Sequence, residues 1–475
     1  MEYEIVIGLE THVQLKTRSK MWCGCVNQFG GEPNTHVCPV CLGFPGVLPV
    51  ANEEALRLTV LTGMLLNCGL PKRAKFDRKN YFYPDASKNY QITQYDLPST
   101  LKGCVEFESE NKTCRVGITR AHLEEDVGKS SHFDRVSGVD FNRAGVPLLE
   151  IVSEPEITSV QMASDYLNEL KTILIYGGIS DCDMEKGMVR CDLNLSTRPV
   201  GQKELGKKVE IKNMNSFSGA RKALTYEMNR QIKVLRNGGA LIQETRRWDD
   251  AEGMTHSMRS KEMAHDYRYL PEPDLMPFEP ETAWYDSIRE SVVELPLARK
   301  RRYMKDYGLP PKDTETLVSN PSLAGYFEKA AEHSKKPKAV ANLILNNLRA
   351  CMSESNHSVD DLKIQPTHIH ELVQLVDSGK INSRIAQEVF NAVYESGKSP
   401  QGIVEEKGLA QVSDSSTIDA FCDEVIKANP KSVEDFQAGK QNALNFLKGQ
   451  VMRLSKGKAN PALVGQVLEK RILNP

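Results

Sequence analysis

The sequence predicts an α+β fold, with an antiparallel-sheet domain over residues 1–292, an all-α helical domain over 293–402 and a small helical tail over 403–475. Two observations carry this. Before residue 290, segments alternate apolar and polar residues between Gly and Pro breaks; after it, SLAGYFEKAAEHS, AVANLILNNLRACM and IHELVQLVDSGKINSRIAQEVFNAVYESG repeat apolar residues at three and four positions. PEPDLMPFEPETAW, rich in Pro and acid, marks the junction, and KSPQGIVEEKG divides the helical half by its turn-forming residues. With 475 residues, 61 Lys+Arg against 63 Asp+Glu and 40% hydrophobic positions, the chain is of globular composition. Its net charge of -2 excludes wholesale attraction to nucleic acid, so any such surface must be a local concentration of charge.

The first strand is the clearest local signal. Tyr3, Ile5, Ile7, Leu9, Thr11, Val13 and Leu15 alternate with a second set that places Glu10 and His12 on one face. VRCDLNLS repeats the pattern with Arg190, Asp192 and Asn194, and KKVEIKN repeats it with Lys208, Glu210 and Lys212. An antiparallel sheet can cover one face with helices and leave the other open. Here the open face carries carboxylates, an imidazole and cations, either as solvated charge pairs or as a site for a hard cation.

Between these strands, Cys23-Gly-Cys25 and Cys38-Pro-Val-Cys41 supply two close thiolate pairs, which suit tetrahedral zinc, although free buried cysteines or a redox pair give the same spacing. His36 reads as a surface histidine. HLEEDVGKS adds Glu124, Glu125 and Asp126 in succession, and Glu150 stands inside the apolar run GVPLLEIV. Glu150 is either a satisfied buried acid or a metal ligand whose coordination offsets its desolvation.

Familiar phosphate motifs fail. Gly128-Lys129-Ser130 lacks the first glycine of a P-loop, which would fall at Leu123, and Gly201 to Lys207 is followed by Lys208 where Ser or Thr is required. No GxSxG is present. No stretch approaches a membrane span, no basic n-region precedes an apolar core, and the scattered remainder of the 11 cysteines does not resemble a disulfide framework, so a cytoplasmic protein that does not engage a membrane is expected. From Lys440 to Pro475, Lys440, Lys448, Arg453, Lys456, Lys458, Lys470 and Arg471 stand against the single acid Glu469, as a solvated basic helix or a phosphate-contacting surface.

VIGLETHVQL, CPVCLGFPGVLPV, KFDRKNYFYPD, HLEEDVGK, FNRAGVPLLEIVSEP, VRCDLNLS, IKNMNSF, QETRRWDD and DYRYLPEPDL, in this order, resemble the B subunits of the aspartyl/glutamyl-tRNA(Asn/Gln) amidotransferases, the GatB family. The inserted synthetase-like domain of the archaeal paralogue GatE is not seen. The resemblance implies a first domain similar to glutamine synthetase and guanidino kinases. It also implies a heterotrimer that carries out ATP-dependent amidation of Glu-tRNA(Gln) or Asp-tRNA(Asn) through an acyl phosphate, with ammonia from a glutaminase (amidase) A subunit braced by a small C subunit.

Carried onto matching positions, the resemblance implies magnesium at Glu10, His12, Glu124, Glu125 and Glu150, and a second cation or substrate contact at Asp192 and Glu210. Arg190, Lys79 and Lys212 could hold phosphate oxygens or form structural ion pairs. It further implies a YqeY-like tail that contacts tRNA through Lys448, Arg453, Lys456 and Lys458. A noncatalytic zinc scaffold that only delivers tRNA is the competing class, but it has no need for Glu10, His12 and Glu150 within strands.

Overall fold

In the computed structural model the described residues are 2–212, 214, 216–258, 267–409, 415–455, 459 and 461–473. They form two compact units, Met1–Arg299 and Lys300–Pro475.

The first unit is built on an eleven-stranded sheet. Its strands are β1 (Tyr3–Gln14), β2 (Asp77–Asn80), β3 (Tyr90–Thr93), β4 (Cys104–Ser109), β5 (Lys112–Glu125), and, after a separate hairpin of β6 (Lys129–Phe133) and β7 (Val136–Asp140), β8 (Pro147–Ser153), β9 (Val189–Pro199), β10 (Val209–Lys212), β11 (Glu244–Asp249), β12 (Met254–Ser257) and β13 (Leu270–Pro271). The spatial order is β12-β11-β10-β9-β1-β8-β5-β3-β2-β13, with β4 paired to β5. Pairing is antiparallel except between β10 and β11, which are parallel because a helix connects them.

The alternation read in β1 has a direct physical outcome. Ile5, Ile7, Leu9 and Val13 are buried on one face, where α1 (Glu53–Leu65), α2 (Val160–Tyr176) and α3 (Phe217–Arg236) cover the sheet with Leu58, Leu61, Tyr166, Leu170, Ala223 and Leu224. Each helix starts where a side chain accepts an orphan backbone N–H: Asn52 from Ala55, Ser159 from Met162 and Ser216 from Gly219. These helices occupy one face only, so the polar set of β1, β8, β5 and β9 is left on the other.

The second unit is helical. Its helices repeatedly begin on proline, at Pro311, Pro321, Pro337, Pro366, Pro400 and Pro430, where the missing N–H is not needed. One apolar cluster runs from Tyr303 to Val404 and another from Ile418 to Ile472. The segment read from its turn-forming residues as a divider is a helix, Pro400–Glu406, capped by Ser399, and its Ile403 and Val404 belong to the earlier cluster.

Candidate active site

Strand register assembles the site. On β1, His12 stands opposite both Glu150 of β8 and Arg190 of β9, and Glu10 stands opposite Asp192. On β5, His122 stands opposite Glu150. Directly paired residues project to the same side of a sheet, so residues distant in sequence converge on the uncovered face.

At its centre His12 Nδ1 lies 3.0 Å from Glu124 Oε1. One ligand atom from each of His12, Glu124 and Glu150 lies within 4.8 Å of the others. Burial alone would lower the His12 pKa, but the Glu124 hydrogen bond and the charges of Glu124, Glu150 and Asp192 push it up to about 9. For Glu124 burial acts upward, and His12 more than offsets it, holding this carboxyl below its usual range. Glu150 is pushed up to about 7 by burial and by Glu124 and Glu10. Two carboxylates and an imidazole, one of the acids reluctant to ionise, gather oxygen and nitrogen donors that a cation can take by displacing their protons.

His122 is a member of this group that sequence reasoning missed. It is buried, burial brings its pKa down to about 3, and its Nε2 lies 3.6 Å from Glu150 Oε2, while Nδ1 has no hydrogen-bond partner among the described residues. A signal for it exists: His122 and Glu124 alternate in HLEED as Glu10 and His12 do in LETHV.

Around the centre, Asn194 Nδ2 donates to Glu10 at 2.8 Å. Lys212 Nζ bridges Asp192 at 3.3 Å and Glu210 at 3.2 Å, and Glu210 also accepts from Thr245 Oγ1 at 2.8 Å. Arg190 donates to Asp126 at 2.9 Å. Asp126, singled out in the sequence only as the third of three successive acids and given no role there, also accepts from Gln14 at 3.3 Å and lies 3.4 Å from Arg143. Lys79 lies over the Tyr267 ring at 4.8 Å, and its charge acts on Glu124 and Glu150.

Glu125 is not brought to this group. As the neighbour of Glu124 on an extended strand it points to the other side of the sheet, where Lys88 Nζ at 2.7 Å and the Ile92 N–H at 2.9 Å engage its carboxylate. Lys448 and Arg453 lie in the second unit on the helix Gln441–Leu454, and Lys456 and Lys458 lie outside the described residues.

A second cluster is built from the loop after β1. Sulfur atoms of Cys23, Cys25, Cys38 and Cys41 all lie within 4.8 Å of one another, and no disulfide joins them. The Cys38 N–H donates to Cys41 Sγ at 3.2 Å, and the buried Lys20 reaches the same sulfur at 3.6 Å. The Cys23 thiol, the Cys38 amide and the Lys20 charge together draw the Cys41 thiol well below its usual pKa. Four convergent soft donors with a buried ammonium beside them fit a zinc tetrathiolate, which carries net negative charge. His36 is outside the cluster, its N–H held by Asn142 Oδ1 at 2.8 Å.

Comparison with known proteins decides the family. The GatB/GatE catalytic domain matches residues 5–286, and the GatB domain matches residues 325–472. The chain is 51% identical to the B subunit of the aspartyl/glutamyl-tRNA(Asn/Gln) amidotransferase of Carboxydothermus hydrogenoformans, over 99% of each chain. The protein of the same name from Thermoanaerobacter sp. (strain X514) is 50% identical over 99% of this chain and all of its own, and that from Persephonella marina is 49% identical over 99% of each. The chain belongs to the GatB family. Within GatB, the catalytic-domain match spans the sheet, the His12 group and the cysteine cluster, and the second match contains Lys448 and Arg453. Among the described residues, no helix of this GatB chain is long and apolar enough to cross a membrane.

Proposed function

We propose that this chain is the ATP-dependent ligase component of a tRNA amidotransferase, converting Glu-tRNA(Gln) to Gln-tRNA(Gln), Asp-tRNA(Asn) to Asn-tRNA(Asn), or both, through an acyl phosphate. The observation that carries it is the group of His12, Glu124 and Glu150 on the open sheet face of a chain matched by the GatB/GatE catalytic domain.

The substrate's side-chain carboxylate is ionised and already nucleophilic, so no general base is needed to attack ATP; the protein has to align it with the terminal phosphorus and balance charge. Glu124 and Glu150 offer the oxygen donors that magnesium takes, with His12 as a nitrogen donor or as the group that orients a bound water, and Asp192 and Glu210 as an additional acidic pair. Magnesium bound there supplies neutralising charge to phosphate oxygens. Arg190, aimed by Asp126, and Lys212, held between Asp192 and Glu210, present further N–H donors to phosphate, and Lys79 does so from the opposite flank. Phosphorylation makes the carboxyl oxygen a leaving group, and ammonia then displaces phosphate. Ammonia is supplied by a glutaminase partner, the A subunit, and a small C subunit completes the assembly. Zinc at the four cysteines holds its loop and takes no part in the chemistry, and the basic helical tail binds tRNA.

The test supplies ammonium chloride in place of glutamine to the reconstituted complex, which frees the amidation from the glutaminase. Glu124→Gln and Glu150→Gln should then lose ATP-dependent formation of Gln-tRNA while glutamine hydrolysis persists. Normal amidation by both variants would overturn the assignment.

A further inference from the structure

The sheet edge beyond Glu124 carries a row of aromatic rings that the chemistry above leaves unused. Thr93 of β3 pairs with Glu124, Asp77 of β2 pairs with Thr93, and Leu270 of β13 pairs with Arg78. By strand alternation Lys79, Tyr81 and Tyr269 therefore belong to the face that bears Glu124, and Tyr95 follows Thr93 by two residues. Their rings meet. Tyr95 and Tyr269 stack in parallel at 4.1 Å and 8°, Tyr267 meets Tyr269 edge-on at 6.1 Å, and Tyr81 meets Tyr267 at 6.5 Å.

One face of Tyr95 is taken by Tyr269, yet Tyr95 remains 49% exposed. Beside it, Arg120 donates to the Tyr95 carbonyl at 3.3 Å, and the Arg120 Nε is buried without a partner among the described residues. Tyr269 is close enough to the metal-ligating group for the charges of Glu150 and Glu124 to act on its phenol.

We propose that Tyr95 and Tyr269, braced by Tyr267, form a stacking seat for the 3′-terminal adenine of the aminoacyl-tRNA. This rests on the reaction proposed above. The reacting carboxylate belongs to an amino acid esterified to the terminal ribose, so a carboxylate placed beside the cation that His12, Glu124 and Glu150 would hold brings the attached adenosine a few bonds away. That end of tRNA is unpaired, and a base without a partner is held by aromatic faces. The two flanks of the site differ in kind. Arg190, Lys212, Asp192 and Glu210 lie on β9 and β10 and suit a triphosphate with its cations, whereas the β3-β2-β13 flank offers rings for a base, with Arg120 beside Tyr95 for the phosphate behind it.

The test compares Tyr95→Leu and Tyr269→Leu with Tyr95→Phe and Tyr269→Phe in the reconstituted complex, with zinc content and thermal melting checked for each. The probes are glutamyl-tRNA, the small analogue 3′-glutamylamido-3′-deoxyadenosine, and the same compound lacking its base. We expect the Leu variants to raise KM for glutamyl-tRNA by roughly 5- to 150-fold, to lose the preference for the analogue with a base, and to keep the wild-type KM for ATP, with the Phe variants near wild type. A raised KM for ATP with an unchanged KM for tRNA would give the rings to the adenine of ATP and overturn the proposal. Unchanged values for both would make the row mere packing and overturn it equally. Failure of the wild type to phosphorylate glutamyl-tRNA would instead remove the reaction on which the proposal stands.

Discussion

Lys88 Nζ lies 2.7 Å from Glu125 Oε2, on the side of the sheet away from the Glu124 carboxylate, which His12 engages. Adjacent acids thus have different partners. Glu125 is buried, so removing its charge leaves the part-buried Lys88 uncompensated, at a cost on the order of 3 kcal/mol. Glu125→Gln should unfold at lower denaturant with its magnesium affinity nearly intact, and Glu124→Gln should lose magnesium. A Glu125→Gln protein of wild-type stability that no longer bound magnesium would reverse the two roles.

His122 should aim Glu150. Burial keeps its imidazole neutral, and the ring faces the Glu150 carboxylate at 3.6 Å. Orienting partners of metal ligands typically contribute about 10- to 100-fold in affinity. His122→Leu should weaken manganese binding, read by electron paramagnetic resonance, within that range, and His122→Gln, which restores an N–H donor, should recover most of it.

Magnesium binding should release protons. In the metal-free protein His12 titrates at about 9 and Glu150 at about 7, so near neutrality the first is protonated and the second partly so. A cation that takes both must displace both protons, and its affinity then rises with pH through about 7 and on towards about 9. If His12 only orients a water while keeping its proton, the rise ends near 7. Calorimetry in two buffers of different ionisation enthalpy counts the protons.

Cys38→Ser should release close to one zinc per chain and lower the melting temperature, because ligation at a structural site contributes folding free energy directly. Wild-type protein prepared without chelators and free of zinc would refute this.

Truncation of the tail should be made after Leu409, since Ile403, Val404 and Leu409 pack with the earlier helical cluster. The shortened chain should bind tRNA more weakly and with a flatter salt dependence, by roughly 0.7 to 0.9 log units per log unit of salt for each phosphate interaction removed. Zinc content and ATP hydrolysis should not change.

What the sequence disclosed depended on locality. The alternation in β1 and the cysteine spacing are short-range patterns, so the open face and the four-sulfur cluster can both be read from them. Glu124 and Glu125 look equivalent as letters, and only the strand pleat separates them. His122 is easily missed because the polar positions of HLEED hide a strand. The tyrosine row has no local signature: Tyr81, Tyr95, Tyr267 and Tyr269 meet only because β3, β2 and β13 are neighbours. The parallel pairing of β10 with β11 likewise depends on the path of α3 between them.

The central position of β1 governs how the polar face that gathers His12, Glu124 and Glu150 comes into being. On the ribosome His12 emerges before Glu150, and Glu150 before Arg190, although both stand directly opposite His12 in the finished sheet. For that interval β1 is a long, largely apolar strand with two open edges, a template for wrong pairings and for aggregation. Closing such distant pairs carries a loop entropy that local helices avoid, so the sheet unit should refold more slowly than the helical unit. A nascent chain halted before β9 should be a client for chaperones, held together on one side of β1 and bare on the other.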